Sequence, residues 1–293
     1  MRPAAPPDEY QLDMRALRRA FDRASKTYAG AAVVQGEVRT RLIERLDLVK
    51  LAPERVLDLG AASGQSTRLL KRRYPKAQVL GIDLSEAMLR EARREQSLFK
   101  RFDRAAMDAQ ALAIKDASVD LVFSNLMLAW CNHPDQVFRE AGRVLKPNGL
   151  FMFTSLGPDT LREVRERFRQ IDERTHVHRF IDMHDLGDAL MRTGFLEPVM
   201  DTERLTVTFP SASALFREIK SSGSINVTHG RRAGLLGRKA LQELQTGLES
   251  KRTEAGLSVT LEVVYGHAWW GSPRASRGSP AEFAVPISQI RRR

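Results

Sequence analysis

One cysteine, Cys131, among 293 residues leaves no intrachain disulfide and no multi-cysteine zinc site to consider. Nothing therefore calls for an oxidising compartment, and a cytoplasmic protein is expected. No stretch reaches the roughly 18 apolar residues of a membrane span. The opening MRPAAPPDEY carries three prolines and two acids where a secretory signal needs an apolar run, so a soluble chain without a membrane partner is expected. Aromatic residues are scarce at 7%, and no block interleaves them with basic residues as single-strand nucleic-acid platforms do. Acids are in deficit, 36 against 47 Lys and Arg, for a net charge of +11. That balance favours an anionic partner; nucleic acid, a membrane surface and an acidic protein all fit on charge alone. What the chain does have is 42% apolar residues, enough for a substantial core and too many for a disordered chain.

The apolar pattern organises the chain. From Met14 to Leu51 it has helical spacing, read as two helices broken near Tyr28 to Gly30. Strands at Arg55 to Leu59, Gln78 to Asp83, Leu121 to Ser124 and Leu150 to Thr154 then alternate with helical stretches at 65–74, 85–95, 135–145 and 159–172. Such alternation requires a parallel sheet covered on both faces, and a doubly wound α/β fold is expected. After a helical stretch at 183–193, period-two runs at 205–209 and 259–265 predict two late strands at the sheet edge, with the helical 212–254 stretch standing over the sheet as a cap. The expected organisation is an N-terminal helical lid (1–50), an α/β core (51–211), a helical cap (212–256), a last core strand (257–270) and a flexible tail (271–293).

In an open parallel sheet the ligand sits at the carboxyl ends of the strands. The first strand ends in Asp58-Leu-Gly60-Ala-Ala-Ser-Gly64, small residues that allow a sharp turn and deliver a ligand to a helix amino terminus. Asp83 closes the second strand 23 residues past Gly60, the usual distance for an acid that accepts hydrogen bonds from ribose hydroxyls. A pyrophosphate loop reads G-x-G-x-x-G. This one adds the negative charge of Asp58, which argues against phosphate and suits a ligand bearing an amino group.

These motifs, with Asp108-Ala109 ahead of the fourth strand, resemble the class I S-adenosylmethionine-dependent methyltransferases, whose loop reads D-x-G-x-G-x-G. The resemblance implies that Asp58, Gly60, Ala61 and Gly64 cradle the cofactor, that Asp83 and Leu84 hold the ribose, and that Asp108 and Ala109 read the adenine. The sequence departs from the pattern at Ala62, where the family has its middle glycine. More narrowly, Phe21-Asp-Arg-Ala-Ser-Lys-Thr-Tyr28 with Gln35, Ser124 to Trp130, Arg143 to Gly149, His176 to Phe180 and Glu262 to Trp269 resemble the malonyl-[acyl-carrier protein] O-methyltransferase family of biotin synthesis. That resemblance spans about residues 17 to 270.

It implies S-adenosylmethionine as cofactor and acyl carrier protein carrying malonyl as partner, with no nucleic acid and a monomeric enzyme. It also implies Tyr28 near the reacting methyl with Gln35 close by, Asn125 and Leu126 bordering the methyl donor, and Trp130 walling the acceptor pocket. Arg179, with Arg143 second, is the candidate for holding the substrate carboxylate. Arg231 and Arg232 are candidates for docking an acidic carrier. Because an ionised carboxylate attacks without a base, no acid–base pair is expected. The six histidines lack the spacing of a metal site, and no metal is expected. Methylation of another small acid, a protein-arginine hydroxylase of respiratory-complex assembly, and a nucleic-acid modifier or non-catalytic cofactor-binding scaffold remain open at this point.

Overall fold

The computed structural model describes residues 8–97, 100–232 and 234–271, so most of the expected tail lies outside the described residues. Asp13 caps α1 (Met14–Ala31) by accepting the N–H of Ala16 at 3.0 Å. The chain then breaks at Ala32 and restarts as α2 (Val33–Arg45). The break falls a few residues later than expected because Gly30 stays inside the last turn, while Ala32 leaves helical geometry at φ −84° and ψ 50°.

The α/β run follows as β1 (Arg55–Leu59), α3 (Gln65–Arg73), β2 (Gln78–Asp83), α4 (Glu86–Arg94), β3 (Asp103–Ala106), β4 (Val119–Ser124), α5 (Pro134–Val144), β5 (Leu145–Leu156), α6 (Arg162–Arg169) and α7 (Met183–Arg192). The chain ends with β6 (Phe195–Phe209), α8 (Ala212–Ser221), α9 (Arg238–Glu249) and β7 (Leu257–Trp270). The strands form one sheet in the order β3-β2-β1-β4-β5-β7-β6, parallel from β3 to β5, with β7 antiparallel to both of its neighbours. The doubly wound α/β expectation holds. The final strand lies inside β6, and the α8–α9 stretch is inserted ahead of it.

Burial explains which strands the sequence announces. β1 and β4 lie mid-sheet with helices on both faces and are almost continuously apolar and buried. β6 is an edge strand, half exposed along its length, and Glu197-Pro198 sits at a bulge between Leu196 and Val199 with Glu197 at φ +50°. That bulge hides the first half of the strand from a period-two reading. β3, at the other edge, is Asp-Arg-Ala-Ala, too short and polar for any periodicity, and the sequence reading missed it.

One face of the sheet buries Phe138, Phe151 and Phe153 among the core of α5 and α7. The other face packs Val38, Leu42 and Leu46 over β1 and β4. A third apolar cluster joins Val164 of α6, Leu215 of α8 and Leu244 and Leu248 of α9 to the far ends of β6 and β7. A fourth sets Leu17 and Ala20 of α1 against Val227, with Phe21 and Trp130 at its margin. The third and fourth clusters, with the carboxyl ends of the strands, enclose the cavity described next.

Candidate active site

The sharp turn after β1 needs glycine twice. Gly60 and Gly64 have φ of +78° and +76°, and a Cβ on Gly60 would lie 2.5 Å from the Cβ of Met127. A Cβ on Gly64 would lie 2.8 Å from that of Ala92. Both conformation and space therefore exclude a side chain. Ala62, between them, also lies in the left-handed region at φ +45°, where an L side chain is strained. Its N–H donates to Oδ2 of Asp83 at 2.9 Å, and the N–H of Ser85 donates to Oδ1 at 2.8 Å. Burial pushes the Asp83 carboxyl up to about 6 in spite of these two backbone donors, with Asp22 adding to the rise.

Beneath the loop Asp58 is fully buried. Its Oδ2 accepts the Thr67 hydroxyl at 2.5 Å, while Oδ1 has no hydrogen-bond partner in the chain. Burial raises its carboxyl to about 7, against the Thr67 bond and with the help of Asp83.

The loop opens into a cavity of about 430 Å³. At the loop end it is lined by Gly60, Ala62, Asp83 and Leu84, then by Asp108 and Ala109 beyond β3. Tyr28 and Gln35 line it from α1 and α2, and Asn125 and Leu126 from the end of β4. Asn125 donates from Nδ2 to the Gln35 carbonyl at 3.0 Å, and its Oδ1 accepts the Thr154 hydroxyl at 3.1 Å. That hydroxyl in turn accepts the N–H of Leu126 at 2.9 Å, fixing the left-handed turn there at φ +59°. The Tyr28 phenol is held protonated, because burial and the nearby Asp83 both raise it, and it makes no hydrogen bond among the described residues.

The far end of the cavity is apolar, walled by Leu161 and Phe168, by Leu215 and Phe216 of α8, and by Val259 and Leu261 of β7. Trp130 stands between the two ends, edge-on to Phe21 at 5.4 Å and to His178 at 4.8 Å. His178 is buried and pushed down to about 4, so it is neutral. Its Nε2 accepts the N–H of Val227 at 3.1 Å, which leaves the proton on Nδ1. His176 is committed to Asp172 at 2.7 Å and stacks on Phe168. The Cys131 thiol also lines the cavity, but burial raises it to about 12, so it stays protonated. Among the described residues no cluster of His, Cys, Asp and Glu could hold a metal ion.

Five expected contacts are placed differently, the first being Asp58, which is fully buried beneath the loop and does not line the cavity. Ala61 does not line the cavity: its N–H donates to the Ile82 carbonyl at 2.8 Å and its methyl faces Gly81 beneath the loop. Gly64 starts α3 and shapes the turn from outside the cavity. Arg143 does not line the cavity. Its guanidinium is spent on the carbonyls of Leu112 and Ile114 and on Glu140 and Asp116, away from the cavity. Arg179 points outward because burial alternates along His178, Arg179 and Phe180; it is exposed, with its guanidinium 5.6 Å from the Tyr10 ring centroid. Among the described residues no Lys or Arg lines the cavity.

The docking pair is also committed elsewhere. Arg231 binds Asp13 and the carbonyls of Val227 and Thr228, and Arg232 binds Asp172. The sequence reading did not single out Arg39, one turn past Gln35, whose Nη1 donates to Gln65 at the start of α3. The i, i+4 spacing from Gln35 on a predicted helix was the available signal.

Residues 57–153 match the family model described as a methyltransferase domain. Across nearly the whole chain the similarity is closer. The malonyl-[acyl-carrier protein] O-methyltransferase of Methylovorus sp. (strain MP688) is 46% identical over 285 residues, 94% of this chain and 96% of that protein. The chain belongs to the malonyl-[acyl-carrier protein] O-methyltransferase family. The protein of the same name from Gallionella capsiferriformans (strain ES-2) is 42% identical over 94% of the chain and 97% of its own length. Solved structures carry the fold at lower identity. The YcgJ protein of Bacillus subtilis superposes with a TM-score of 0.58 at 16% identity, over 79% of this chain and 98% of that one. A Haemonchus contortus phosphoethanolamine N-methyltransferase in complex with S-adenosyl-L-methionine gives 0.51 at 21%, over 80% of this chain and 52% of that one. Family membership and fold therefore agree with the seven-stranded sheet.

Proposed function

We propose that the protein transfers the methyl group of S-adenosylmethionine to the free carboxylate of a malonyl group on acyl carrier protein, the step that opens pimeloyl assembly in biotin synthesis. The observation that carries this reading is one continuous cavity. It joins the Gly60–Asp83 corner to an apolar chamber without Lys or Arg among the described residues, in a chain whose relatives are named malonyl-[acyl-carrier protein] O-methyltransferases.

The chain's own atoms fit the cofactor. Each Asp83 oxygen already takes one backbone N–H and keeps a second acceptor site for a ribose hydroxyl. Gly60 and Ala62 bring the turn to the cavity wall, and the fully buried Asp58 beneath it adds negative charge that favours an ammonium group near the loop. When bound, S-adenosylmethionine supplies an electrophilic methyl group on sulfonium.

The remaining chemistry belongs to the chain and the acceptor. A malonyl carboxylate is ionised at neutral pH and needs no general base. A cavity whose two histidines are neutral or ion-paired, and whose thiol is protonated, is consistent with that. No guanidinium among the described residues lines the chamber to neutralise the attacking oxygen. Neutral donors, the Tyr28 hydroxyl and the Gln35 carboxamide, can orient it instead. Apolar walls exclude water, and alignment of the reactants supplies roughly 7 to 11 kcal/mol toward the barrier.

Incubation with methyl-labelled S-adenosylmethionine and malonyl-acyl carrier protein tests the reading. Base-labile label on the carrier species is expected. Label confined to another small acid, or to none, would overturn it.

A further inference from the structure

The loop that carries Val227 is fixed from several sides. Asn226 donates from Nδ2 to the Thr175 carbonyl at 2.5 Å, and its Oδ1 accepts the Thr228 N–H and hydroxyl, both at 3.0 Å. The Val227 carbonyl accepts the N–H of Asp13 at 2.9 Å and the Arg231 guanidinium at 3.2 Å. The Val227 N–H is thereby aimed at Nε2 of His178, and it decides the tautomer: the neutral ring keeps its one proton on Nδ1.

That second nitrogen is unused. Nδ1–H meets no acceptor among the described residues, and the buried side-chain atoms without a partner there belong to Arg39, Asp58 and Ser63. Nδ1 is therefore not sealed off. The ring is otherwise buried and lines the cavity beside Trp130, so the free N–H is open to the cavity. Burial alone lowers the basicity of the ring, so no carboxylate stands close enough to oppose it; Asp83, Asp108 and Glu218, the acids on the cavity wall, act elsewhere. A fixed neutral donor, clear of acids, in a cavity lined by no Lys or Arg among the described residues suits an anionic oxygen. Hydrogen bonds to a charged acceptor are the strong ones.

We propose that His178 binds the substrate, its Nδ1–H donating to the malonyl carboxylate oxygen that does not attack. The proposal rests on the reading of the acceptor as a malonyl thioester, and it leaves Tyr28 and Gln35 to orient the attacking oxygen. In the reaction that second oxygen forms a bond to the methyl carbon, the carbon–sulfur bond of the sulfonium breaks, and its electron pair stays on sulfur. His178 keeps its proton throughout. Its N–H faces a charged carboxylate before transfer and a neutral ester carbonyl after it, so the bond is strongest in the substrate complex. It therefore selects the substrate and eases release of the ester, acting on KM more than on kcat.

Two variants separate the two ring nitrogens. His178→Gln supplies an acceptor for the Val227 N–H and removes the Nδ1 donor, whereas His178→Asn supplies a donor near the Nδ1 position and strips Val227 of its acceptor. KM for malonyl-acyl carrier protein is expected to rise about ten- to a hundredfold in His178→Gln with kcat changed little. His178→Asn should lose stability yet keep a KM nearer that of wild type. Calorimetry in the presence of S-adenosylhomocysteine gives the independent readout. Wild type should bind a malonyl thioester more tightly than the acetyl thioester, which lacks the carboxylate, by the same factor, and His178→Gln should lose most of that preference. If wild type methylates malonyl-acyl carrier protein yet binds the two thioesters equally, the proposal alone is overturned, whether or not the variants fold. An undiminished preference in His178→Gln would also overturn it, since the ring would then only support Val227. Absence of methyl transfer from wild type to any malonyl thioester would overturn the acceptor reading and the proposal with it.

Discussion

The N–H of Ala62 donates to Oδ2 of Asp83 at 2.9 Å, tying the turn after the first strand to the end of the second. This one bond sets the corner of the cavity, and it is made by a residue at φ +45°. An L residue there costs about 1–2 kcal/mol, while glycine gives back roughly 0.5–1 kcal/mol in chain entropy. Ala62→Gly is therefore expected to raise unfolding stability by up to about 1 kcal/mol, with the bond to Asp83 retained. Urea unfolding measures it; a loss of stability would mean that the alanine methyl contributes packing that outweighs its strain.

A fully buried carboxyl, Asp58, and a half-buried one, Asp83, give the protein an unusual pH response. Asp83 and Asp58 are raised to about 6 and about 7 by burial, from ordinary values near 3.8. Between the unfolded and folded values the native state holds more protons than the unfolded one. Their contribution is full below about pH 4 and is lost as pH rises through 6 to 7. Asp58→Asn removes the charge that burial disfavours, so from pH 5 to pH 8 its stability relative to wild type should rise, by on the order of 1–2 kcal/mol. Parallel unfolding curves at the two pH values check this, and an unchanged difference would refute it.

Tyr28 combines a protonated phenol with a place on the cavity wall between α1 and the loop. Tyr28→Phe keeps the ring and removes the donor. Turnover should fall about ten- to a hundredfold, the range for a hydrogen bond to a charged group, while cofactor affinity changes little. Single-turnover rates paired with calorimetry separate the two effects. A variant with normal rate per folded molecule but lower stability would make Tyr28 a packing residue.

The corner motifs were legible because backbone geometry dictates residue type: Gly60 and Gly64 at positive φ, and an acid at the end of β2. Central strands were legible because burial on both faces makes them apolar, whereas β3 and the bulged half of β6 carry no period. Charged side chains were the least legible part of the site. Arg143 and Arg179 have the right charge for a carboxylate, yet their directions depend on neighbours distant in sequence, such as Asp116 and Tyr10. Arg39 went unnoticed for the same reason: that its guanidinium meets Gln65 and no carboxylate among the described residues is a three-dimensional fact.

Carrier docking shows what charge can do once direction is known. Arg231 and Arg232 are held by Asp13 and Asp172, so reversing them breaks internal pairs. On α1 the side facing the cavity carries Leu17, Phe21 and Tyr28, while Arg15, Arg18, Arg19, Arg23 and Lys26 are exposed and form no ion pair among the described residues. An unpaired basic stripe backing a wall of the active cavity suits encounter with an acidic carrier, through complementary fields that act mainly on association. Replacing Arg15, Arg19 and Lys26 by Glu should raise KM for carrier-linked malonyl severalfold and leave KM for a free malonyl thioester nearly unchanged. At about 1 M salt, where screening acts over roughly 3 Å, wild type and variant should converge on the carrier substrate. Arg231→Glu, which strips Asp13 of its partner at the cap of α1, should instead lower stability and impair both acceptors alike. If the α1 variant impaired both acceptors equally, its cations would be supporting the helix that walls the cavity, and no carrier would be docking there.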